Sequence, residues 1–145
     1  MQCGFIGLGM LGARMARQVM DAGHALKVFD LDDAAVEQLV VHGATSAVSV
    51  AQAASEVDVL ITCLPSPEAS TKVMTSNNGA LDAMHEGSCW IEMSTTDANE
   101  MIRLAELAVD RGIGVLECPA TGGVHRAARG EMTLLVGGDE ELFNH

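Results

Sequence analysis

The sequence predicts an α/β fold in which helices cover both faces of a doubly wound, mostly parallel sheet. Short apolar runs alternate with stretches of helical periodicity along all 145 residues. A glycine-rich turn separates the first apolar run from the first helical stretch. Since 48% of the residues are hydrophobic and only 3% are aromatic, the core must be aliphatic, as in sheets covered on both faces.

The glycine-rich turn has the spacing G-x-G-x-x-G and follows the first predicted strand directly. Its residues are Gly7, Leu8, Gly9, Met10, Leu11 and Gly12. The first glycine permits a tight turn, the second lets a phosphate approach the backbone, and the third lets the helix pack close to the strand. The following helix start offers free N–H groups and a positive dipole end to an anion.

An acidic residue, Asp30, ends the second predicted strand. It stands about 20 residues beyond the glycine turn, where a carboxylate accepts hydrogen bonds from the ribose of a bound dinucleotide. Asp32 and Asp33 follow closely, and no Arg or Lys stands there to meet a 2′-phosphate. The constellation therefore predicts a Rossmann-type dinucleotide-binding domain with NAD as the cofactor and NADP as the alternative.

The remaining elements continue the alternation of strand and helix. Strands are predicted at 2–6, 25–30, 44–46, 58–64, 89–93, 113–117 and 132–137. Helices are predicted at 10–22, 33–42, 48–55, 67–75, 79–85 and 97–111, with one more beginning at 139. Pro65 ends the fourth strand, because proline cannot continue a central ladder. Gly23 and Gly112 stand where helices end, and Asp97 can cap the helix that follows it.

Charge and cysteine content exclude several classes of partner. The net charge of −12 repels nucleic acid and anionic membranes, so neither is expected to bind. No signal peptide precedes the first strand and no apolar run reaches about 18 residues, which predicts a cytoplasmic protein. The four cysteines, Cys3, Cys63, Cys89 and Cys118, lack zinc-site spacing. They are expected to be reduced and buried, with no metal site.

Four segments in order resemble the N-terminal half of the β-hydroxyacid dehydrogenases, a family that includes 3-hydroxyisobutyrate dehydrogenase. They are Gly4 to Ala16, Cys63-Leu64-Pro65, Ile91-Glu-Met-Ser-Thr95 and Glu117-Cys-Pro-Ala-Thr-Gly-Gly123. The resemblance covers the whole chain. It implies one dinucleotide-binding domain, 1–145, from an oxidoreductase that transfers a hydride between a nicotinamide dinucleotide and a small 3-hydroxyacid.

The resemblance also implies roles for individual residues. Leu64 and Pro65 would line the cofactor pocket, and Thr95 would lie on the nicotinamide side. The substrate carboxylate would be held by Thr121, Gly122 and Gly123, and a hydroxyl beside two glycines is a suitable anion nest. Arg126-Ala127 stands where many members have Gly-Ala, and His125 precedes it. His125 and Arg126 would favour a more acidic or larger substrate, or else they are solvent-facing charges on an exposed turn.

The family's catalytic lysine, in a Gly-x-x-x-Lys context within a second helical domain, has no counterpart here. This chain has only Lys27 and Lys72, and neither stands in that context. The resemblance therefore implies that the helical domain is absent from this chain, that no catalytic residue can be assigned, and that the chain alone is inactive. A non-catalytic dinucleotide-binding module and half of an imine reductase remain as alternatives. An apolar face left exposed where the helical domain would dock would permit a homo-oligomer.

Overall fold

Seven strands form the main sheet, and two further short strands pair with each other beside it. The structure is a computed structural model that describes residues 1–144; His145, the last residue of the predicted domain, lies outside the described residues. The strands are β1 (Gln2–Ile6), β2 (Ala25–Phe29), β3 (Thr45–Ser46), β4 (Val59–Thr62), β5 (Cys89–Glu92), β6 (Gly114–Glu117), β7 (Ala120–Thr121), β8 (Thr133–Leu134) and β9 (Gly137–Gly138). The sheet order is β3-β2-β1-β4-β5-β6-β9, and β7 pairs with β8 separately.

The sheet is parallel from β3 to β6, and β9 joins β6 in the antiparallel direction. This topology confirms the predicted doubly wound, mostly parallel sheet. The first strand lies in the interior of the sheet, where Ile6 pairs with Phe29 of β2 on one side and with Thr62 of β4 on the other. The direction of winding reverses between β1 and β4, and ligands of open α/β sheets bind at the carboxyl ends of the strands flanking such a reversal.

Eight helices are found in the described part of the chain. They are α1 (Gly12–Asp21), α2 (Asp33–Val40), α3 (Val50–Ala54), α4 (Pro67–Thr75), α5 (Ala80–Ala83), α6 (Ala98–Val109), α7 (Gly123–Ala127) and α8 (Glu140–Asn144). The longest, α6, has 12 residues, and among residues 1–144 no helix has the length and apolar character needed to cross a membrane.

The helices cover both faces of the sheet because successive strand side chains point to opposite sides. In β1, Phe5 packs into the core beneath α1 and α2, whereas Ile6 packs into the core beneath α3 to α6. In β4, Leu60 and Ile61 divide between the two cores in the same way. Both cores are mainly aliphatic, as the composition predicts, and the buried Trp90 adds one large aromatic side chain.

Most predicted elements are confirmed to within a few residues, including their ends. Gly23 and Gly112 follow α1 and α6 with φ of 89° and 70°. This is the left-handed conformation that glycine adopts at helix ends. At the start of α6, the Asp97 carboxylate accepts the N–H groups of Asn99 and Glu100 at 3.0 and 3.2 Å, which confirms it as the N-cap.

Two predictions near the end of the chain are wrong. The strand predicted at 132–137 is two separate strands, because β8 pairs with β7 whereas β9 crosses to the edge of β6. Gly138 permits that crossing, since a Cβ there would lie 2.8 Å from the Val115 carbonyl oxygen. Residues 123–127, predicted as loop, form α7. The sequence pattern does not predict this helix, because the segment begins with glycines and glycine lowers helix propensity.

Candidate functional site

A cleft of about 650 Å³ opens at the carboxyl ends of the central strands. Nine of the ten residues predicted to contact the cofactor line this cleft. They are Gly7, Gly9, Met10, Leu11, Gly12, Asp30, Leu64, Pro65 and Thr95. These residues come from four separate stretches of sequence. The parallel topology brings them to one edge of the sheet, where the loops after β1, β2, β4 and β5 meet.

Two glycines of the loop are required by the protein's own packing. Gly7 has φ of 97°, and a Cβ on it would lie 2.2 Å from the carbonyl oxygen of Cys63. A Cβ on Gly12 would lie 2.0 Å from the carbonyl oxygen of Gly7. Both contacts are with backbone, which cannot move aside as a flexible side chain can. The loop after β1, the start of α1 and the end of β4 therefore stack at a distance that only glycine allows.

Gly9 differs from these two, because a Cβ at this position would meet no atom within 4 Å. The space in front of it belongs to the cleft. Within residues 1–144, the N–H groups of Met10, Leu11 and Gly12 donate to no protein acceptor, and no side chain caps the start of α1. Free donors, a helix N-terminus and open space beside a glycine are the features that fit the pyrophosphate of a dinucleotide.

Asp30 follows β2 at the other side of the glycine loop. Its carboxylate accepts the backbone N–H of Leu8, and its second oxygen accepts the N–H of Asp32 at 2.9 Å. The Leu8 side chain is itself buried in the core and does not line the cleft. A carboxylate has about four acceptor positions, so Asp30 keeps capacity for ribose hydroxyls after these two bonds.

The opposite end of the cleft lies beyond β4 and β5. Here the Ser94 hydroxyl oxygen accepts the N–H of Leu64 at 2.7 Å, and the Ser94 N–H donates to the Glu92 carboxyl at 2.7 Å. Thr95 is exposed at the rim. The resemblance singled out the segment that contains Glu92 and Ser94, but no sequence pattern indicates that Glu92 bonds the Ser94 N–H or that the Ser94 hydroxyl bonds Leu64.

The cysteines are unpaired thiols, and one of them reaches the cleft. Cys3, Cys89 and Cys118 are buried, and Cys63 is half-buried in the cleft wall. Burial, assisted by the nearby charge of Glu92, raises the pKa of the Cys63 thiol to about 11. This thiol is therefore neutral and a poor nucleophile near neutral pH. Within residues 1–144, no three His, Cys, Asp or Glu side chains are grouped to hold a metal ion.

Sequence reasoning missed Lys72 as a cleft residue. Its exposed side chain lines the cleft from α4, on the helix face that also carries Ala69, Val73 and Ser76. The spacing of three to four residues is the signal that could have identified this face. Lys27, by contrast, donates from its ammonium group to the Ser55 carbonyl at 2.7 Å and does not line the cleft.

The predicted substrate loop stands beside the cleft. Ala120 lines the cleft, while Thr121, Gly122 and Gly123 are exposed and lie outside its lining. Gly122 and Gly123 have φ of 130° and 74°. The Arg126 side chain packs over this turn, so close that a Cβ on Gly122 would lie 3.1 Å from the Arg126 Cδ atom. His125 and Arg126 are exposed on α7, so they belong to a helix and not to the predicted turn.

Comparison with known proteins matches residues 2–145 to a family model described as the NAD binding domain of 6-phosphogluconate dehydrogenase. The NAD-dependent L-serine dehydrogenase of Pseudomonas aeruginosa is 38% identical over 98% of this chain and 48% of its own. A probable mitochondrial 3-hydroxyisobutyrate dehydrogenase of Dictyostelium discoideum is 36% identical over 97% of this chain and 44% of its own.

A solved structure of Mycobacterium tuberculosis 3-hydroxyisobutyrate dehydrogenase with L-serine superposes with a TM-score of 0.93 and 32% sequence identity. The match covers 99% of this chain and 48% of that one. This chain therefore spans about half the length of the curated relatives and of the solved structure that it matches.

Proposed function

The chain belongs to the family of the NAD binding domain of 6-phosphogluconate dehydrogenase, and on that premise we propose that it binds NAD(H) in the cleft at the carboxyl ends of its parallel strands. The observation that carries the proposal is the open space beside Gly9, in front of the free N–H groups that begin α1. The protein's own packing makes no use of the missing side chain at this position. A ligand that needs close approach to the backbone explains it.

The cleft offers a different partner to each part of the dinucleotide. The glycine loop and the start of α1 suit the pyrophosphate, because they present N–H donors and the positive end of a helix dipole. Asp30 suits the hydroxyls of the adenosine ribose, since a carboxylate only accepts hydrogen bonds. Leu64, Pro65 and Thr95 suit the nicotinamide half, because β4 and β5 lie on the opposite side of β1 from β2.

The whole protein is proposed to be an oxidoreductase that acts on a small 3-hydroxyacid, and this chain, 1–145, its cofactor domain. A bound nicotinamide supplies the hydride chemistry, and the protein supplies orientation and proton transfer. L-serine and 3-hydroxyisobutyrate, which appear in the names of the relatives, both carry a carboxylate and a hydroxyl on the third carbon. Thr121, Gly122 and Gly123 offer a hydroxyl and backbone N–H groups for that carboxylate.

Proton transfer to or from the substrate oxygen needs a positioned acid/base group. A lysine outside this chain is the group we propose, because Lys27 is bound to the Ser55 carbonyl and neither Lys27 nor Lys72 stands in the Gly-x-x-x-Lys context of the family. Arg126, packed over the turn at Gly122, would favour a substrate with a second acidic group.

The net charge of −12 argues against nucleic acid as a partner. A reducing, cytoplasmic location and self-association remain predictions.

Titration with NADH tests the proposal directly. Trp90 is the one tryptophan of the chain, so quenching of its fluorescence with sensitised NADH emission reports a single environment, and calorimetry gives the stoichiometry. We expect one saturable site for NADH and for ADP-ribose, which shares the pyrophosphate and both riboses. Failure of both ligands to bind would overturn the proposal. Binding without turnover, in a protein that also carries the helical domain, would favour a non-catalytic module.

A further inference from the structure

Glu92 is a buried carboxyl group that the proposed function leaves without a role. It is the last residue of β5 and is 0% exposed. None of the ion pairs among residues 1–144 includes it, and its Oε2 atom has no hydrogen-bond partner there. A buried carboxyl with an unpartnered oxygen opposes folding, and an apolar residue would fit such a site at lower cost.

The Oε1 atom of Glu92 begins a series of two hydrogen bonds between neighbouring strand ends. It accepts the Ser94 N–H at 2.7 Å, and the Ser94 hydroxyl oxygen accepts the Leu64 N–H at 2.7 Å. Ser94 is 3% exposed, so water does not compete for these bonds. Glu92 thereby fixes the chain just after β5, and through Ser94 it fixes the chain just after β4.

Both segments that Glu92 fixes belong to one end of the cleft. Ser94 and Leu64 line the cleft, whereas Glu92 lies behind them and does not. In the sheet order, β4 and β5 stand on one side of β1 and β2 stands on the other. The strands that precede Asp30 and Ser94, β2 and β5, are thus three strand spacings apart, which is about 14 Å at about 4.8 Å each.

We infer that Glu92 is a positioning residue for the nicotinamide half of the dinucleotide, acting through Ser94 on the amide of Leu64 without touching the ligand. The inference rests on the proposed function, because it assumes that the dinucleotide runs from Asp30 to Ser94. It assigns Glu92 no proton transfer. What Glu92 contributes is an acceptor oxygen, held in place by the fully buried surroundings of Thr62 and Ser70.

The direction in which the pKa of Glu92 is shifted agrees with this role. Burial raises the pKa of the Glu92 carboxyl, against the opposing effect of the polar groups of Ser94, Ser70 and Thr62. A neutral carboxyl keeps a carbonyl oxygen as acceptor, and the side-chain amide of glutamine has the same shape and the same acceptor. Glu92→Gln should therefore preserve the positioning, whereas Glu92→Leu should remove it.

The test compares the affinities for NADH and ADP-ribose by calorimetry, because only NADH carries the nicotinamide. For Glu92→Leu and Ser94→Ala we expect the ratio of the two affinities to fall about tenfold, as for loss of one buried hydrogen bond. For Glu92→Gln it should stay within about threefold of wild type. Ser88→Ala is the matched control, since Ser88 is equally buried but precedes β5 at the far end of the strand.

Three results would overturn the inference: equal loss of affinity for both ligands in Ser94→Ala, no loss for either, or an altered ratio in Ser88→Ala. Ser94→Ala removes only the hydroxyl that accepts the Leu64 N–H and leaves the Ser94 N–H that donates to Glu92, so it tests the second bond of the series. Where Glu92→Leu fails to fold, Glu92→Gln tests the first bond, and a fall of about tenfold in its ratio would also overturn the inference. A double variant Glu92→Gln/Ser94→Ala should match Ser94→Ala alone, because the two side chains act in series. Failure of the proposed function would look different, since wild type would then bind neither ligand.

Discussion

Asp30 accepts the backbone N–H of Leu8, so the acidic residue after β2 holds the glycine loop that follows β1. The Leu8 side chain is buried in the core, so the link between the two loops is made by the Leu8 backbone N–H and the Asp30 carboxylate. Asp30 therefore has two duties in the proposed site. It shapes the pyrophosphate loop, and it offers its remaining acceptor positions to the adenosine ribose.

The first prediction concerns the choice of cofactor. Asp30 lines the cleft, Asp32 and Asp33 follow it closely, and no Arg or Lys stands among them to meet a 2′-phosphate. We expect NADH to bind at least about tenfold more tightly than NADPH, a difference of about 1.4 kcal/mol. Parallel calorimetric titrations measure it. Asp30→Ala should weaken both cofactors and reduce their difference, whereas tighter binding of NADPH by the wild type would contradict the prediction.

Lys72 is the control for that measurement. It lines the cleft from α4 and brings a positive charge that the residues after β2 do not supply. If this charge attracted the 2′-phosphate, Lys72→Ala would selectively weaken NADPH. We expect instead an equal, small effect of less than about threefold on both cofactors, as for an exposed charge.

The second prediction separates ligand binding from folding at the glycine loop. Gly9→Val should abolish dinucleotide binding, because the branched side chain fills the open space in front of α1. Its free energy of unfolding should stay within about 1 kcal/mol of wild type, measured by urea denaturation. A folded Gly9→Val protein that still binds NADH at wild-type strength would show that the pyrophosphate lies elsewhere.

Gly12→Ala is the matched variant, and unlike Gly9→Val it is expected to lower the stability of the fold. The new Cβ would lie 2.0 Å from the Gly7 carbonyl oxygen, so the loop or the helix must shift. We expect a loss of about 1–3 kcal/mol in the free energy of unfolding, which is the usual range for overpacking. Equal losses of stability in Gly9→Val and Gly12→Ala would contradict the view that Gly12 is required for packing and Gly9 for ligand binding.

The third prediction is that this chain alone binds cofactor but has no appreciable dehydrogenase activity. A positioned acid/base group contributes roughly 10²–10⁴-fold, and no lysine here stands in the Gly-x-x-x-Lys context. The assay mixes the chain with NAD⁺ and L-serine, 3-hydroxyisobutyrate or glycerate, and follows NADH absorbance. Turnover that disappears in His125→Ala would identify His125 as the base, and turnover lost in Lys72→Ala would identify Lys72.

The fourth prediction concerns the pH dependence of stability. Because burial raises the pKa of Glu92 above its ordinary value of 4.5, the folded protein holds this proton more tightly than the unfolded chain. The stabilisation is complete below the unfolded pKa and is lost as the pH rises through the folded pKa. Its titratable neighbour Cys63, with a pKa of about 11, stays neutral over this range.

Urea denaturation of wild type and Glu92→Gln between about pH 5 and about pH 8 checks this prediction. Glutamine cannot ionise, so the variant should lack the decline in stability that Glu92 causes as the pH rises. The difference in the free energy of unfolding, variant minus wild type, should therefore increase with pH. A difference that is flat, or that falls with pH, would mean that Glu92 is not held protonated by its surroundings.

The sequence was sufficient for the fold and for most of the cleft, because both depend on local patterns. The spacing from Gly7 to Gly12 and the position of Asp30 are readable from one βαβ unit, and parallel strands necessarily bring their carboxyl ends together. The family match confirms the recognition of that unit. The residues implied by resemblance to contact cofactor and substrate remain predictions.

What the sequence could not supply depends on contacts between distant segments. The bonds from Glu92 to Ser94 and from Ser94 to Leu64 need the register of β4 against β5. The separation of β8 from β9 depends on which strand edge is available, and not on the apolar run itself. The sequence context of Lys72 does not indicate that it lies in the cleft, because this depends on which face of α4 packs against the sheet.

The central position of β1 has a consequence for synthesis on the ribosome. Of the strands in the sheet, the interior strand β1 is synthesised before the others, and it cannot complete its pairing until β4, which ends at Thr62, has been translated. Until then the apolar residues of β1 have only β2 as a partner. Non-local pairing of this kind slows folding and prolongs the exposure of strand edges. A nascent chain stalled before residue 62 should therefore be captured by chaperones, and one stalled beyond β5 should begin to resist proteolysis.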